Sequence, residues 1–416
     1  MKSKTFQSVT YVIIFLISFL SSFFVFKTFV PASKNVIFPG GVVSETGEEK
    51  NTGNIEFEGP KTEICPLNGA LYTKKEKDIW ETRRPLTVMI ENHADSRPQS
   101  GLQNADIVYE AVAEGGITRF MGIFYCGAVQ MNANKYDLGP VRSARSYFVE
   151  IASEYSDYPL HAHVGGANCS APKDPVTGRQ SGPCTSHKKT QAIEQIAEYG
   201  WNNKGTWSDL SQFSLSYKAC RREPERIGQN TAMEHTMYCS SKELWNIASD
   251  RGLSNMTEIN KNSWDKNFKS WNHSAKDQAS DSPSAKSISF SFWSGYPAYK
   301  VDWNYDAGKN IYLRKNGGQD HMDFNTKEQL STKNIVIQFV KEQRSVDVHL
   351  HNIYDVIGSG TGILLQNGDK TEINWSKLNR SARTIFTTKD GKEVKFVPGR
   401  IWIEILPINT KIDYEN

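Results

Sequence analysis

The sequence carries no excess of charge of one sign: 49 Lys+Arg stand against 46 Asp+Glu, a formal net charge of +3. That balance argues against a protein built to coat a polyanion, and no nucleic-acid partner is expected. There is no Cys-x-x-Cys and no Cys/His zinc spacing, so a structural zinc site is not signalled and no metal ligand set is assigned. There is no Gly-x-Ser-x-Gly elbow, no Gly-Lys-[Ser/Thr] phosphate loop and no dinucleotide fingerprint. Gly358-Ser359-Gly360-Thr361-Gly362 is glycine-rich, but no helix pattern follows it, and it reads as a bulge or tight turn.

Charge is wholly missing from Val9–Phe26 (VTYVIIFLISFLSSFFVF). This run meets the minimum of ~17 apolar residues for a helix that spans a bilayer. Lys2 and Lys4 precede it, and such charge stays cytoplasmic. Residues 1–30 therefore read as a cytoplasmic tip and a single transmembrane anchor, and the bulk of the chain is expected outside the cytoplasm. A cleaved signal peptide is the alternative, with Val30-Pro31-Ala32 as its cleavage site. The run has no Cys to accept a lipid.

Beyond a tether at 31–64, rich in Gly, Glu, Asn, Lys and Pro, about 340 residues remain, enough for one large domain or two ordinary ones. The six cysteines, Cys65, Cys126, Cys169, Cys184, Cys220 and Cys239, point to disulfides in an oxidising compartment. Cys169 and Cys184 bracket a Gly/Pro/Ser loop and are expected to pair. Cys220 with Cys239 is a second expected pair, and free buried thiols are the plain alternative.

Residues 65–250 read as an α/β or α+β domain. Leu86–Ile90, Ala105–Ala113 and Thr118–Tyr125 are strand patterns, the last two joined by a hairpin turn at Glu114-Gly115-Gly116-Ile117. With Gly115 and Gly116 as the loop, Arg119 sits opposite Val112 and becomes a diagonal neighbour of Glu110. Ser143–Tyr155, capped by Ser143, reads as a helix, as do Lys189–Tyr199 and Ser241–Arg251. A polar insertion or linker fills 251–287. From 288 to 408 strand follows strand, including Val346–His351, and Asn316-Gly317, Asn367-Gly368 and Asp390-Gly391 mark tight turns. This is a mainly antiparallel β domain.

The residues most suggestive of chemistry are LGPVRSAR, Leu138–Arg145. Arg142 and Arg145, three apart at a helix start, form a candidate anion site. The plainer reading pairs both with local acids such as Glu150 or Glu154. Asp106, Glu110, Glu114 and Arg119 make a second cluster. There a structural salt bridge to Arg119 competes with acids that orient arginines or hold a divalent cation. Asn92 and His93 follow a strand's C-terminal end, where α/β sites tend to lie. His161 and His163 share a strand face, a weak metal spacing. His235 and His321 are further candidates without a deciding context.

The string RPLTVMIENHADSRPQSGLQNADIVYEAVAEGGITRFMGIF, then LGPVRSARSYFVEIA and HVGG, resembles the bacterial DUF3048 family. In the second half KNIVIQF, VIGSGTGILLQNG, INWSK and FVPGRIWIEILP fit that family's C-terminal domain. The likeness covers roughly residues 80 to 408. It implies a bacterial extracytoplasmic protein tethered to the membrane, with an N-terminal α/β and a C-terminal β domain, and it implies no chemistry. The sequence departs from the family in its plain apolar anchor, its 169–184 loop, and Glu234-His235-Thr236 where members tend to read Pro-His-Asn. A looser pattern is similar to LytR-CpsA-Psr enzymes, which hold a polyprenyl pyrophosphate with arginines and acids. The matching positions would be Asp106, Arg119, Arg142 and Arg145, an analogy at fold level.

Three functions follow as expectations, and whether any of them is enzymatic is left open. The first is a membrane-anchored protein that binds an anionic envelope ligand, a phosphorylated glycan or a polyprenyl pyrophosphate-linked precursor. Its expected ligand residues are Arg119, Arg142, Arg145, Asp106, Glu110 and Asn92, with His93, His163 and Asp106 as catalytic candidates. The second is a non-enzymatic scaffold for other envelope proteins. The third is a metal-dependent hydrolase using His161, His163, Asp106 and His93. No cofactor is identified beyond the divalent cation the acids could hold.

Overall fold

The computed structural model describes residues 55–131, 137–171, 176–177, 182–229, 231–275 and 277–415. The expected anchor, and the tether up to residue 54, lie outside the described residues. Among the described residues no helix is long and apolar enough to cross a membrane. Ordered sequence begins before Cys65, because Lys61–Ile64 pairs antiparallel with Leu71–Thr73 and the Ile55 amide donates to the Gln130 carbonyl.

The strands that matter are, in chain order, β1 (Leu86–Glu91), β2 (Ile107–Glu114), β3 (Ile117–Phe124), β4 (Leu160–His163) and β5 (Asp209–Ser211). They continue as β6 (Ser287–Ser291), β7 (Lys300–Asp306), β8 (Ile311–Asn316), β9 (Asn334–Val340) and β10 (Gly358–Gln366). Last come β11 (Asp369–Lys377), β12 (Ile385–Thr388), β13 (Ile401–Pro407) and β14 (Ile412–Glu415). The helices are α1 (Lys74–Trp80), α2 (Ser146–Ala152), α3 (Ala192–Glu198) and α4 (Ser241–Asp250). The described chain is strand-rich.

A 10-stranded mixed sheet runs β12-β11-β10-β9-β13-β2-β3-β1-β4-β5. Residues 65–250 and 288–408 share it. Strand β13 lies parallel to both β2 and β9, so the second half is not simply antiparallel. The reason is legible in β13 itself: Ile401–Pro407 is buried along its whole length, which suits a central strand covered on both faces. A 6-stranded antiparallel sheet built on β8-β7-β6-β14 packs on one face, where Trp303 meets Trp402 with ring centroids 5.2 Å apart. The other face takes α2, and the Tyr109 and Tyr155 hydroxyls share a 2.8 Å hydrogen bond.

Several local expectations change. The β2–β3 turn is Gly115-Gly116, both at positive φ, but a bulge between Val112 and Glu114 shifts the register, so Arg119 faces Ala111 rather than Val112. Because side chains alternate, that one extra residue leaves Glu114 on Arg119's face, as expected, and turns Glu110 to the other face. Helix α2 begins at Ser146, with Arg145 rather than Ser143 at its cap. Val346–His351 is not a strand; Ser345 and Leu350 take positive φ there. Gly358–Gly362 is regular β10, not a turn. Asn367-Gly368 does close a tight turn, whereas the turn after β8 centres on Gly317-Gly318, one residue later than Asn316-Gly317. The stretch 251–287 buries Trp264 and Trp271, so it packs rather than merely links. All six cysteines are paired, as Cys65–Cys126, Cys169–Cys184 and Cys220–Cys239.

Candidate functional site

Strands β1 and β2 run parallel to one another and end at Glu91 and Glu114. Glu114 holds two arginines, and Glu91 holds an arginine and a histidine. Glu114 accepts from Arg119 Nη2 at 3.1 Å and from Arg145 Nη2 at 2.5 Å and Nε at 3.0 Å. Burial would raise this carboxyl, but the Arg119 and Arg145 charges override it and hold it well below the usual range. Both arginines are buried. Arg119 also donates to the Ser143 carbonyl, and Arg145 to that of Ala144. They are therefore framed by Glu114, not by Glu150 or Glu154; Arg145 caps α2, but its guanidinium is spent on Glu114 and the Ala144 carbonyl.

Glu91 is buried and sits opposite Arg119 in the β1–β3 register. Its Oε1 accepts from Arg142 Nε at 3.2 Å and its Oε2 from His235 Nδ1 at 2.8 Å. The hydrogen bond to Glu91 raises the His235 pKa. The His235 ring stacks on His93 at a centroid distance of 4.4 Å and an angle of 10°. Arg142 spends only Nε on Glu91 and keeps 25% of its side chain exposed. Nε2 of His235 is likewise not bonded among the described residues. One buried carboxylate thus holds an arginine and a histidine side by side, the arginine with N–H groups to spare and the histidine with a second N–H once its ring is protonated.

The segment that carries Arg142 is held by backbone pairing. Val141 bridges Ile90, Gly139 bridges Ser100, and Ala144 bridges Gly166. Gly139 has φ +147°, and a Cβ there would lie 2.8 Å from the Met237 carbonyl oxygen, so only glycine fits. Behind Glu114, Asp347 accepts from the His187 amide at 2.9 Å, Thr190 Oγ1 at 3.1 Å and His351 Nδ1 at 2.9 Å. The backbone of His351 bridges Glu114.

The remaining expected residues lie elsewhere. Asp106 sits at the start of β2, the end opposite Glu114. It accepts from Asn68 Nδ2 and from the Tyr125, Cys126 and Gly127 amides at 2.8–2.9 Å. Burial pushes it up to about 6 against those donors. Its role is to close a turn beside the Cys65–Cys126 bridge. Glu110 does not pair with Arg119. It faces the second sheet, where Arg314 Nη2 donates to it at 2.5 Å and Thr118 at 2.6 Å. Asn92 is saturated in the same buried layer: Arg97, Gln99 and Asn316 all donate to its Oδ1. His163 is buried with Nε2 2.7 Å from Asp209 and Nδ1 2.6 Å from the Gly165 carbonyl. Among the described residues, the one trio of His/Cys/Asp/Glu ligand atoms within 4.8 Å is Cys65, Asp106 and Cys126, and its cysteines are disulfide-bonded. The four residues offered for a metal-dependent hydrolase therefore form no ligand set.

From sequence alone Glu91 has no role and His235 no deciding context. An acid ending an otherwise apolar, fully buried strand was the available signal for Glu91. Nothing local could pair it with His235, which is 144 residues away.

Residues 69–254 match the model described as "Protein of unknown function (DUF3048) N-terminal domain", and residues 288–403 the corresponding C-terminal domain. The chain belongs to the DUF3048 family. Among curated proteins it is 30% identical over 349 residues to "Putative lipoprotein YerB" of Bacillus subtilis (strain 168), covering 82% of this chain and 86% of that one. The crystal structure of Bacillus subtilis YerB superposes with a TM-score of 0.62 at 26% identity, covering 85% of this chain and all of that one. The portions matched by the two models both contribute strands to one sheet.

Proposed function

We propose that this DUF3048 protein works outside the cytoplasm, held at the bacterial membrane, and binds an anionic envelope ligand at the Glu91 cluster. The ligand class is a phosphorylated glycan or a polyprenyl pyrophosphate-linked precursor. The observation that carries the reading is the arginine and histidine placed together on buried Glu91, with His93 stacked beside them. Such a carboxylate orients both side chains while their outer nitrogens stay available to an anion. Arg119, Arg145 and Glu114 are the frame behind the site rather than the grip. Three supports bear on location: six paired cysteines, which fit an oxidising compartment; the apolar run Val9–Phe26; and a relative named as a lipoprotein.

The test is calorimetric titration of the full-length chain, in mild detergent, with inorganic pyrophosphate and with polyprenyl pyrophosphate. Binding is expected to weaken at least tenfold in Arg142→Ala and in His235→Ala, and to tighten as pH falls and His235 becomes charged. Equal binding by the parent and both variants would refute the site. A scaffold role has one observation in its favour, the burial of Arg119 and Arg145 in ion pairs with Glu114. It predicts no anion-dependent rise in the thermal midpoint of the parent protein.

A further inference from the structure

A cavity of about 380 Å³ opens between residues 94–98 and the turn that follows β8. It holds no member of the Glu91 cluster, although Ala94 on its wall directly follows His93. The apolar part of its wall is open to solvent: Ala94 and Ala298 are exposed, Pro98 is half-buried, and Met322 is 36% exposed.

Arg97 lines the same cavity. Its Nε donates to Asn92 Oδ1 and its Nη2 to the Asn92 carbonyl, both at 3.0 Å. Asn92 is itself held by Gln99 and Asn316, so one side of the guanidinium is clamped and its plane is fixed. Nη1 has no partner among the described residues and stays in contact with solvent. Together with the second N–H of Nη2 it leaves the end-on fork of the guanidinium unused. Arg84 shows the contrast. It too has no acid, but it engages all three nitrogens, on the Ser254 and Tyr158 carbonyls and on Thr257. His321, also on the wall, offers no free donor, because Arg314 and Gln99 take both of its ring nitrogens.

The charges around Arg97 do not balance. No carboxylate pairs with it among the described residues. Its charged neighbours are Arg314 and Glu110, and Glu110 is committed to Arg314. Beyond them the Glu404 carboxyl is raised well above its usual range by burial and by Glu110, so it adds little negative charge at neutral pH. Two guanidinium groups thus stand against one full carboxylate charge. Burial pushes Arg97 down to about 10, as expected of a cation without a counter-charge. Asp320 on the rim pairs with Lys315 at 3.6 Å and is exposed, where water screens it.

A cation held away from water is costly until an anion meets it, and a fixed guanidinium fork matches the two oxygens of a carboxylate. One arginine, with no lysine on the wall, suits a monoanion better than pyrophosphate, and the open apolar surface suits a short hydrocarbon group. We infer that this cavity binds a carboxylate on a short apolar body, such as a peptide's C-terminal end or a branched aliphatic acid, with the end-on edge of Arg97 taking the carboxylate and Ala94, Pro98, Ala298 and Met322 the apolar part. The inference does not rest on the anion site at Glu91.

The test titrates the full-length chain, in mild detergent, with isovalerate and N-acetyl-alanyl-alanine, and with isovaleramide and the peptide amide as uncharged controls. At least one acid is expected to bind and raise the thermal midpoint, and its amide to bind at least tenfold more weakly. Tighter binding of the peptide assigns a chain terminus; tighter binding of isovalerate assigns a free acid. Arg97→Gln should weaken acid binding at least tenfold. Met322→Asp should do the same by placing a like charge in the cavity, at an exposed position that leaves the fold intact. Arg142→Ala should leave acid binding unchanged, which separates failure of this inference from failure of the anion site. The inference is overturned if neither acid titrates, if the amides bind as tightly as the acids, if binding survives both cavity substitutions at parental affinity, or if Arg142→Ala abolishes it.

Discussion

Glu114→Gln keeps the side chain's shape and removes the charge that two guanidinium groups share. Arg119 and Arg145 have side chains only 2% and 8% exposed, so the substitution leaves two buried cations with neutral acceptors alone, the new amide oxygen and the Ser143 and Ala144 carbonyls. Breaking a buried pair by deleting one partner costs about 3–5 kcal/mol. Glu114 itself is 30% exposed, and solvent screening moves the expectation to the lower end, about 3 kcal/mol. With an unfolding entropy of about 2.1 cal/mol/K per residue over the roughly 350 described residues, that is a drop of about 4 °C in the calorimetric midpoint at pH 7. Adding Arg145→Met to Glu114→Gln removes one stranded cation and should recover about 1 kcal/mol or more. The pH dependence has a fixed sign. The Glu114 pKa is depressed in the folded state, so its contribution is complete above the unfolded value of about 4.3 and is lost as pH falls toward the folded value. The gap between parent and variant should therefore narrow below about pH 4. A cost under about 1 kcal/mol at pH 7, or a gap that widens on acidification, would show that the ion triad does not hold this edge of the sheet together.

Glu404 is buried, and burial together with Glu110 raises its carboxyl well above the usual range. Glu404→Gln should thus cost about 1 kcal/mol or less, whereas Glu110→Gln, which strands Arg314, should cost about 3 kcal/mol or more; urea titrations of the two variants compare them directly. Because the Glu404 pKa is raised, its stabilising contribution is present below about pH 4 and lost as pH rises through the folded value. Cys65 and Cys126 are 61 residues apart, and loop-closure entropy gives Cys65→Ser/Cys126→Ser a cost of about 4 kcal/mol, readable as a lower denaturation midpoint. Gly139→Ala forces a Cβ against the Met237 carbonyl and should cost about 2 kcal/mol; a thermal midpoint equal to the parent's would contradict the geometry.

By itself the sequence determined the pieces whose information is local. The strand patterns at Leu86–Ile90 and Ile401–Leu406, the Gly115-Gly116 and Asn367-Gly368 turns, the Cys169–Cys184 bridge and the family likeness all follow from neighbours in the chain. Burial period and turn chemistry act over a few residues. Tertiary structure alone decided the partners. The bulge before Glu114 is a single extra residue with no composition signal, yet it takes Glu110 off Arg119's face and sends it to Arg314, leaving Glu114 as the acid beside Arg119. That β13 lies beside β2, that His235 meets Glu91, and that the turn after β8 walls a cavity with residues 94–98 are pairings across long stretches of chain. Which acid answers which arginine depends on the register and packing of whole sheets, and a charge in the sequence carries no mark of its distant partner.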